Sequence, residues 1–563
     1  MKKIKRHYIL IFLLLASNWV FAVILDNGIA ENKEKVALFT DRSVYIAGEQ
    51  LHFSATLYSS DNFNYYNQSK VIYCELITPD GNKITGYKYL VNKSSAEGCI
   101  AIPGDQVTGI YYLRAYTKEM RNFGPETYSY IQLRIVNPGR SEVLAGENHE
   151  ELPGYQNAQS VNNGAVEQFS LTTDHSEYAS RDTVILSIKA AQGSASGLKG
   201  LCLSVVPEMT ESSFFFSQES KGLPHSENSY FKESLGVSIT GKITGSTSKY
   251  PVTGRRVNLS IIGDGRDFMA VRTDSAGRFF FALPEFYGSR DLFLSAENAP
   301  ATEMKIWIDN DFCTMPVHLP SPAFSLTDPE RQVVVGMAAN VQIKSHFQPD
   351  TLQQAETEEP PARAFYGVPT KVLSLDQYVQ LPTLEEYFNE LPGLVKVRKR
   401  NGEKYFKVMG ANDLSFYDPL VLVDWVAVND PVKILAITPQ NISRIEFVTR
   451  LYVKGGQTYG GIISIISKKG DFAGIDLPST GIFINYRFLA ENQCIENSVD
   501  AIPIHPDFRN TLLWEPAISL LDEKADRFSF RAPDTPGKYV AILEGITGDG
   551  TEFRKTLVFE VKN

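Results

Sequence analysis

Residues 419–430 read PLVLVDWVAVND, and residues 442–470 read ISRIEFVTRLYVKGGQTYGGIISIISKKG. Three apolar runs set off by Asp, Gly and Pro turns predict short buried strands. A strand with one wet face alternates, so the near-continuous run Ile462-Ile463-Ser464-Ile465-Ile466 is expected to be covered on both faces. Upstream, Thr383-Leu384-Glu385-Glu386 with Tyr387, Phe388 and Leu391 predicts a short amphipathic helix ending at Pro392-Gly393. Together these give a small α+β domain, expected over 366–472.

The order Leu422-Val423-Asp424, Ile445-Glu446-Phe447-Val448, Tyr459-Gly460-Gly461-Ile462-Ile463 and Ser467-Lys468-Lys469-Gly470 resembles the plug domain of TonB-dependent outer-membrane receptors. Trp425 departs from that pattern, because plug domains usually carry Gly after this Asp. The residues after 472 are too few for a transporter barrel of about 22 strands, each of about 9–11 residues. The plug-like module is therefore expected to act without a barrel of its own.

Outward from this stretch the pattern is period-two. Leu51, Phe53, Ala55 and Leu57 alternate with His52, Ser54, Thr56 and Tyr58, and turn clusters such as Pro79-Asp80-Gly81 intervene. This predicts an antiparallel sandwich over 35–138. Thr40-Asp41-Arg42-Ser43-Val44-Tyr45, Gly48-Glu49 and Gly109-Ile110-Tyr111-Tyr112-Leu113-Arg114-Ala115 resemble the macroglobulin-like domains of the alpha-2-macroglobulin family. The opening motif recurs as Thr173-Asp174-His175-Ser176-Glu177-Tyr178, Asp182 and Val184, at a constant offset of 133 residues. An internal repeat predicts a second sandwich of the same type, expected over 166–235 after a polar linker at 139–165.

Thr240-Gly241-Lys242-Ile243, Pro251-Val252-Thr253-Gly254, Val257-Asn258-Leu259 and Thr273-Asp274-Ser275-Ala276-Gly277-Arg278-Phe279 resemble the regulatory-like sandwich found beside metallocarboxypeptidases, expected over 236–313. No counterpart of that family's zinc-binding catalytic domain follows. Residues 314–365, with a short candidate helix near Arg331, read as an extended, partly ordered linker. Residues 473–563, with alternating Leu557, Phe559 and Val561, read as a C-terminal sandwich. The fold class is thus mainly β: a multidomain string of antiparallel β-sandwiches, macroglobulin- or immunoglobulin-like, plus the α+β plug-like domain.

Lys2, Lys3, Lys5 and Arg6, the apolar run Ile9 to Ala16 and Val20-Phe21-Ala22 predict a signal peptide at 1–22. No later stretch is long enough to span a membrane as a helix, and no Cys near the predicted cut offers a lipid anchor. The net charge of −10 is opposite to that of a nucleic-acid-binding surface. The five cysteines, Cys74, Cys99, Cys202, Cys313 and Cys494, have no CxxC spacing. Cys74 alternates with Ile72 and Leu76 and is expected inside, whereas Cys99 is expected outside. Alternation therefore argues against a bond between them, and pattern alone assigns no other pairing.

Catalytic, cofactor and metal sites are not predicted. In Ala47-Gly48-Glu49-Gln50 an alanine stands where thioester-containing macroglobulins carry Cys, so no thioester can form and the segment reads as a turn. None of the eight histidines has HExxH spacing, and His505 lies in a Pro-rich turn. Glu385-Glu386 reads as a solvated helix face. Lys396, Arg398, Lys399, Arg400, Lys404 and Lys407 form a basic hairpin across Asn401-Gly402. It reads either as a docking surface for an acidic partner or lipid head groups, or as a solvated hairpin that its charge protects against edge pairing.

The expected function is non-enzymatic: an exported protein for binding or assembly at the outer membrane, in the periplasm or at the cell surface. The expected partner is another envelope or outer-membrane protein, with no nucleic acid and no cofactor. It is expected to dock on the plug-like domain, through the basic hairpin and the loop around Lys454-Gly455-Gly456. The alternatives are a macroglobulin-class protein that interacts with proteases without a thioester, and an accessory component of a TonB-dependent uptake system.

Overall fold

A computed structural model describes residues 34–59, 68–146, 168–192, 198–211, 215–216, 230–245, 250–263, 267–297, 304–347, 364–390, 393–410, 414, 416–491, 507–520, 524–547 and 550–562. The signal peptide, most of the 139–165 linker, Leu391, Pro392, Cys494 and His505 lie outside them. The chain is mainly β, built of antiparallel sandwiches with a small α+β domain. It divides into unit 1 (1–234, 313–348 and 492–563) and unit 2 (235–312 and 349–491).

In unit 1 the alternating stretches pair as the first sandwich. Strands β1 (Glu34–Thr40), β3 (Gln50–Ser59) and β6 (Ser95–Ala101) form one sheet. Strands β5 (Lys83–Leu90), β4 (Val71–Ile77), β7 (Gly109–Tyr116) and β8 (Ser129–Val136) form the other, and β2 (Val44–Ile46) joins β8 in parallel. A two-residue strand, β13 (Phe215–Phe216), extends it. Every residue of β4 and β7 is buried, so this sheet is covered on both faces. Cys74 is buried and Cys99 half-buried, and Cys74, Cys99, Cys202 and Cys313 are all free thiols.

Part of the cover is the segment read as a linker, which is a correction. The Leu319 amide donates to the Pro79 carbonyl at 2.9 Å, and the Tyr112 hydroxyl donates to the Pro320 carbonyl at 2.5 Å. The candidate helix near Arg331 is a 20-residue helix, α1 (Asp328–Phe347). Thr327 and Glu330 close a capping box at its start. Val334, Met337 and Ala338 bury one stripe of it against Val44 and Ile46.

The second sandwich corrects the domain order. Strands β9 (Phe169–Thr173) and β11 (Thr183–Ala190) pair with β31 (Ala525–Arg531). In the facing sheet the order is β10 (Glu177–Ala179), β33 (Glu552–Lys562), β32 (Gly537–Thr547), β12 (Leu198–Pro207) and β30 (Leu513–Glu515). Segments 166–235 and 473–563, expected as two sandwiches, thus supply strands to one. Leu186, Leu203, Leu543 and Phe559 share its core. The physical reason is that the first four strands alone would leave their apolar faces and a central sheet edge in water. Strand for strand it repeats the first sandwich, with everything from 208 to 512 inserted between its fourth and fifth strands.

In unit 2, strands β17 (Arg278–Ala282), β14 (Ser238–Gly245) and β19 (Met304–Ile308) form one sheet of the 236–313 sandwich. The other is β16 (Phe268–Arg272), β15 (Arg256–Ile262), β18 (Ser289–Ala296) and β29 (Ile482–Arg487). Strand β29 also comes from the segment read as the C-terminal sandwich. The α+β domain has a mixed sheet ordered β20 (Lys371–Ser374), β25 (Ile442–Val448), β28 (Ile462–Ser467), β23 (Leu420–Val423) and β24 (Val426–Ala427). Helices α2 (Leu384–Glu390) and α3 (Pro431–Leu435) cover one face through Leu384, Phe388 and Ile434. Phe268 and Ala270 of β16 cover the other, against Leu422, Val448 and Ile462. The double cover expected of β28 is therefore present. Two hairpins complete the domain: β21 (Val395–Arg400) with β22 (Glu403–Val408), and β26 (Tyr452–Lys454) with β27 (Gln457–Tyr459).

Candidate functional site

The repeated motif is a hydrogen-bonding device at the start of each sandwich in unit 1. Asp41 Oδ1 accepts from the Tyr45 hydroxyl at 2.6 Å and from the His52 amide at 3.0 Å. Asp174 Oδ1 accepts from Tyr178 at 2.5 Å and from the Ile185 amide at 3.0 Å. Glu49 accepts from the Ile46 amide at 2.7 Å, and Asp182 from the Ala179 amide at 2.7 Å. Every partner is displaced by the same 133 positions that the sequence shows.

The copies diverge at the position after the Asp. Arg42 is buried and forks onto Glu49 at 2.9 and 3.0 Å, whereas His175 at the equivalent position is 71% exposed. Burial works against the Arg42 charge, but Glu49 and Asp41 more than offset it and hold the guanidinium protonated. Asn510 joins the cluster, donating to Glu49 at 2.7 Å and accepting from Asn340 of α1 at 2.9 Å. Ala47-Gly48-Glu49-Gln50 is a turn leading into β3, and its carboxylate is engaged by Arg42, the Ile46 amide and Asn510.

A second buried cluster was not singled out from the sequence. Glu75 Oε2 accepts from Arg114 at 2.6 Å and from Tyr116 at 2.8 Å. The Tyr116 hydroxyl in turn accepts from the Cys313 amide at 2.8 Å. Arg114 lies within the Gly109–Ala115 motif, and that was the available signal. Burial pushes the Tyr116 hydroxyl and the Cys74 and Cys202 thiols up, away from a nucleophilic form. Among the described residues no group of three or more His, Cys, Asp or Glu could hold a metal ion.

In unit 2 the predicted docking elements divide. The loop Lys454-Gly455-Gly456 is anchored on one side and open on the other, with both glycines exposed. Lys454 pairs with Asp267 at 2.9 Å. A Cβ on Gly455, whose φ is +60°, would stand 2.3 Å from the Ala270 carbonyl oxygen. The loop is packed onto β16. Asp424 and Trp425, both with positive φ (44° and 73°), make a two-residue turn between β23 and β24. The Asp424 carboxylate holds this turn by accepting from the Ser467 amide and hydroxyl at 2.8 and 2.6 Å and from the Phe472 amide at 2.8 Å. Trp425 is buried and stacks on Tyr366, centroids 6.0 Å apart.

The basic hairpin is available. Its register pairs Lys396 with Lys407, Arg398 with Tyr405 and Arg400 with Glu403 on one face. On the other face Val395, Val397, Phe406 and Val408 turn into the core. Lys404 is neutralised by Glu385 at 2.6 Å, so that carboxylate belongs to the hairpin rather than to a solvated face. Arg400 lies 5.2 Å from the Tyr405 ring centroid. Among the described residues Lys396, Arg398 and Lys407 have no acidic partner at ion-pair distance.

No protein-family model matches the chain, and no curated protein matches it significantly. Among solved structures, an Escherichia coli alpha-2-macroglobulin activated by porcine elastase is similar at 11% identity and a TM-score of 0.23, over 94% of this chain and 44% of that one. A mutant Salmonella alpha-2-macroglobulin is similar at 10% identity and 0.23, over 94% and 39%. Dimeric latent PorU from Porphyromonas gingivalis is similar at 10% identity and 0.15, over 51% and 34%. The chain spans about two fifths of the length of these alpha-2-macroglobulins, and none of these likenesses assigns a role to a residue here. No helix among the described residues is long and apolar enough to cross a membrane.

Proposed function

We propose that this chain is an exported, non-enzymatic binding or assembly protein of the cell envelope. Macroglobulin-type sandwiches carry a plug-like α+β domain that works without a barrel. The observation that carries the reading is the cover of the α+β sheet. Where a receptor plug is enclosed by barrel wall, here Phe268 and Ala270 of a neighbouring sandwich close one face, and α2 and α3 close the other. A domain sealed in this way needs no barrel to be stable, and its free surface, which includes the exposed side chains of Val379, Phe416 and Val432, is left for a partner. Its partner is an envelope or outer-membrane protein.

The experiment is cross-linking of the tagged full-length chain in its native envelope, followed by identification of what is captured. Repeated recovery of one outer-membrane protein supports the reading. A second outcome has its own motivation in the duplicated Asp41–Tyr45 and Asp174–Tyr178 device: a macroglobulin-class protein that engages proteases. Incubation with a panel of proteases separates the two, because cleavage of the chain coupled to capture of the enzyme would overturn the binding-protein reading.

A further inference from the structure

The hairpin β21–β22 carries an arrangement that costs stability by itself. Lys396 and Lys407 stand directly opposite on the same face, where like charges repel. Arg398 follows on that face with no acidic partner among the described residues, and Arg400 lies beyond it. The four cations share their face with one carboxylate, Glu403, at the tip. They do this in a protein whose net charge is −10. The ribbon is also two-stranded, so among the described residues each strand keeps an unpaired backbone edge.

We propose that the free edge of β21 receives an extended acidic polypeptide as a third strand, with carboxylates at alternate positions meeting Lys396, Arg398 and Arg400. Same-face residues of a strand recur about every 6.8 Å, and so do the alternate side chains of an extended peptide laid beside it. Backbone pairing supplies affinity and the alternating side chains supply selection. The guanidinium forks of Arg398 and Arg400 suit carboxylates held in one plane. Edge lysines repel a second copy of the same basic strand, so the charge that blocks self-pairing selects an acidic one. Two features disfavour a lipid surface. Glu403 would face the phosphates, and the only aromatic on this face, Tyr405, is half-buried beside Arg398 and Arg400 and offers no apolar anchor. The proposal rests on this charge geometry and not on the compartment, so it can fail or stand independently of the envelope reading.

The test uses the full chain and a fluorescein-labelled peptide of alternating Glu and Thr, about ten residues long, read by fluorescence anisotropy at low salt. Binding is expected. It should weaken about three- to tenfold in a Lys396→Gln/Arg398→Gln variant, and further as salt shortens the screening length. N-methylation of alternate peptide amides should abolish it, because that removes the ladder and leaves the charge. Unchanged far-ultraviolet circular dichroism establishes that the variant is folded. Equal binding of the N-methylated peptide, no effect of the double variant, or binding to phosphatidylglycerol vesicles with none to the peptide would each overturn the proposal.

Discussion

The Thr511 hydroxyl donates to Asp41 Oδ2 at 2.5 Å, across 470 positions of sequence. The bond ties the opening motif of the first sandwich to the segment that completes the second, in a buried setting. A hydrogen bond to a buried charge contributes about 1.5–3 kcal/mol. Thr511→Val should lower the stability of unit 1 by that amount in urea denaturation. Asp174→Asn, in the exposed copy of the motif, should cost under about 1 kcal/mol. A loss under about 1 kcal/mol for Thr511→Val would show that the bond to Asp41 contributes no more than an exposed one.

Trp425 sets two effects against each other. Its left-handed backbone costs about 1–3 kcal/mol, which glycine would relieve. Its buried indole against Tyr366 is worth about 3–5 kcal/mol on truncation. The packing term is larger, so Trp425→Gly should destabilise unit 2 by about 1–3 kcal/mol. A stabilised variant would show that the turn, not the stack, dominates.

Gly455 and Gly456 form a matched pair. Both have positive φ, but a Cβ on Gly456 meets nothing within 4 Å, whereas one on Gly455 meets the Ala270 carbonyl. Gly456→Ala should cost only the left-handed penalty, about 1–2 kcal/mol. Gly455→Ala should cost clearly more and raise amide hydrogen exchange in β16. Equal costs would mean that the loop does not seal the α+β domain onto the sandwich.

Burial, and then the Glu544 carboxylate beside it, pushes Glu552 up to about 8. A carboxyl raised in the folded state holds its proton there while the unfolded chain loses it near pH 4.5. Stability in unit 1 is therefore present below about pH 4.5 and lost as pH rises towards 8. Glu552→Gln should flatten that loss in denaturant midpoints measured between pH 5 and about 8. An unchanged slope would remove Glu552 as its source.

What the sequence carried legibly was local. Strand alternation at Leu51–Leu57 and the apolar run at Ile462–Ile466 gave the sheets. The 133-residue offset gave the repeat, because the motif's hydrogen bonds run between residues at most eleven apart. The completion of the second sandwich by β30 to β33 was not legible, since Leu557, Phe559 and Val561 would suit any sheet with one wet face. Helix α1 was underestimated because its buried stripe, Val334, Met337, Ala338 and Val341, is narrow, and Gly336 and Asn340 beside it are weak helix formers. The basic hairpin was legible as charge. That its cations stand opposite one another with β21 at a free edge came only with the register.

The split second sandwich also sets a timetable. As the chain emerges, β9 to β12 are made first, and the strands that must cover them follow roughly 300 residues later, about 15–60 s at ordinary elongation rates. During that interval a half-built apolar layer is exposed and needs shielding, whereas unit 2 already has all its strands by residue 491. Assembly therefore cannot run from one end to the other. The inserted unit can mature first, the interrupted sandwich last, and the Thr511–Asp41 clasp is among the final bonds to close.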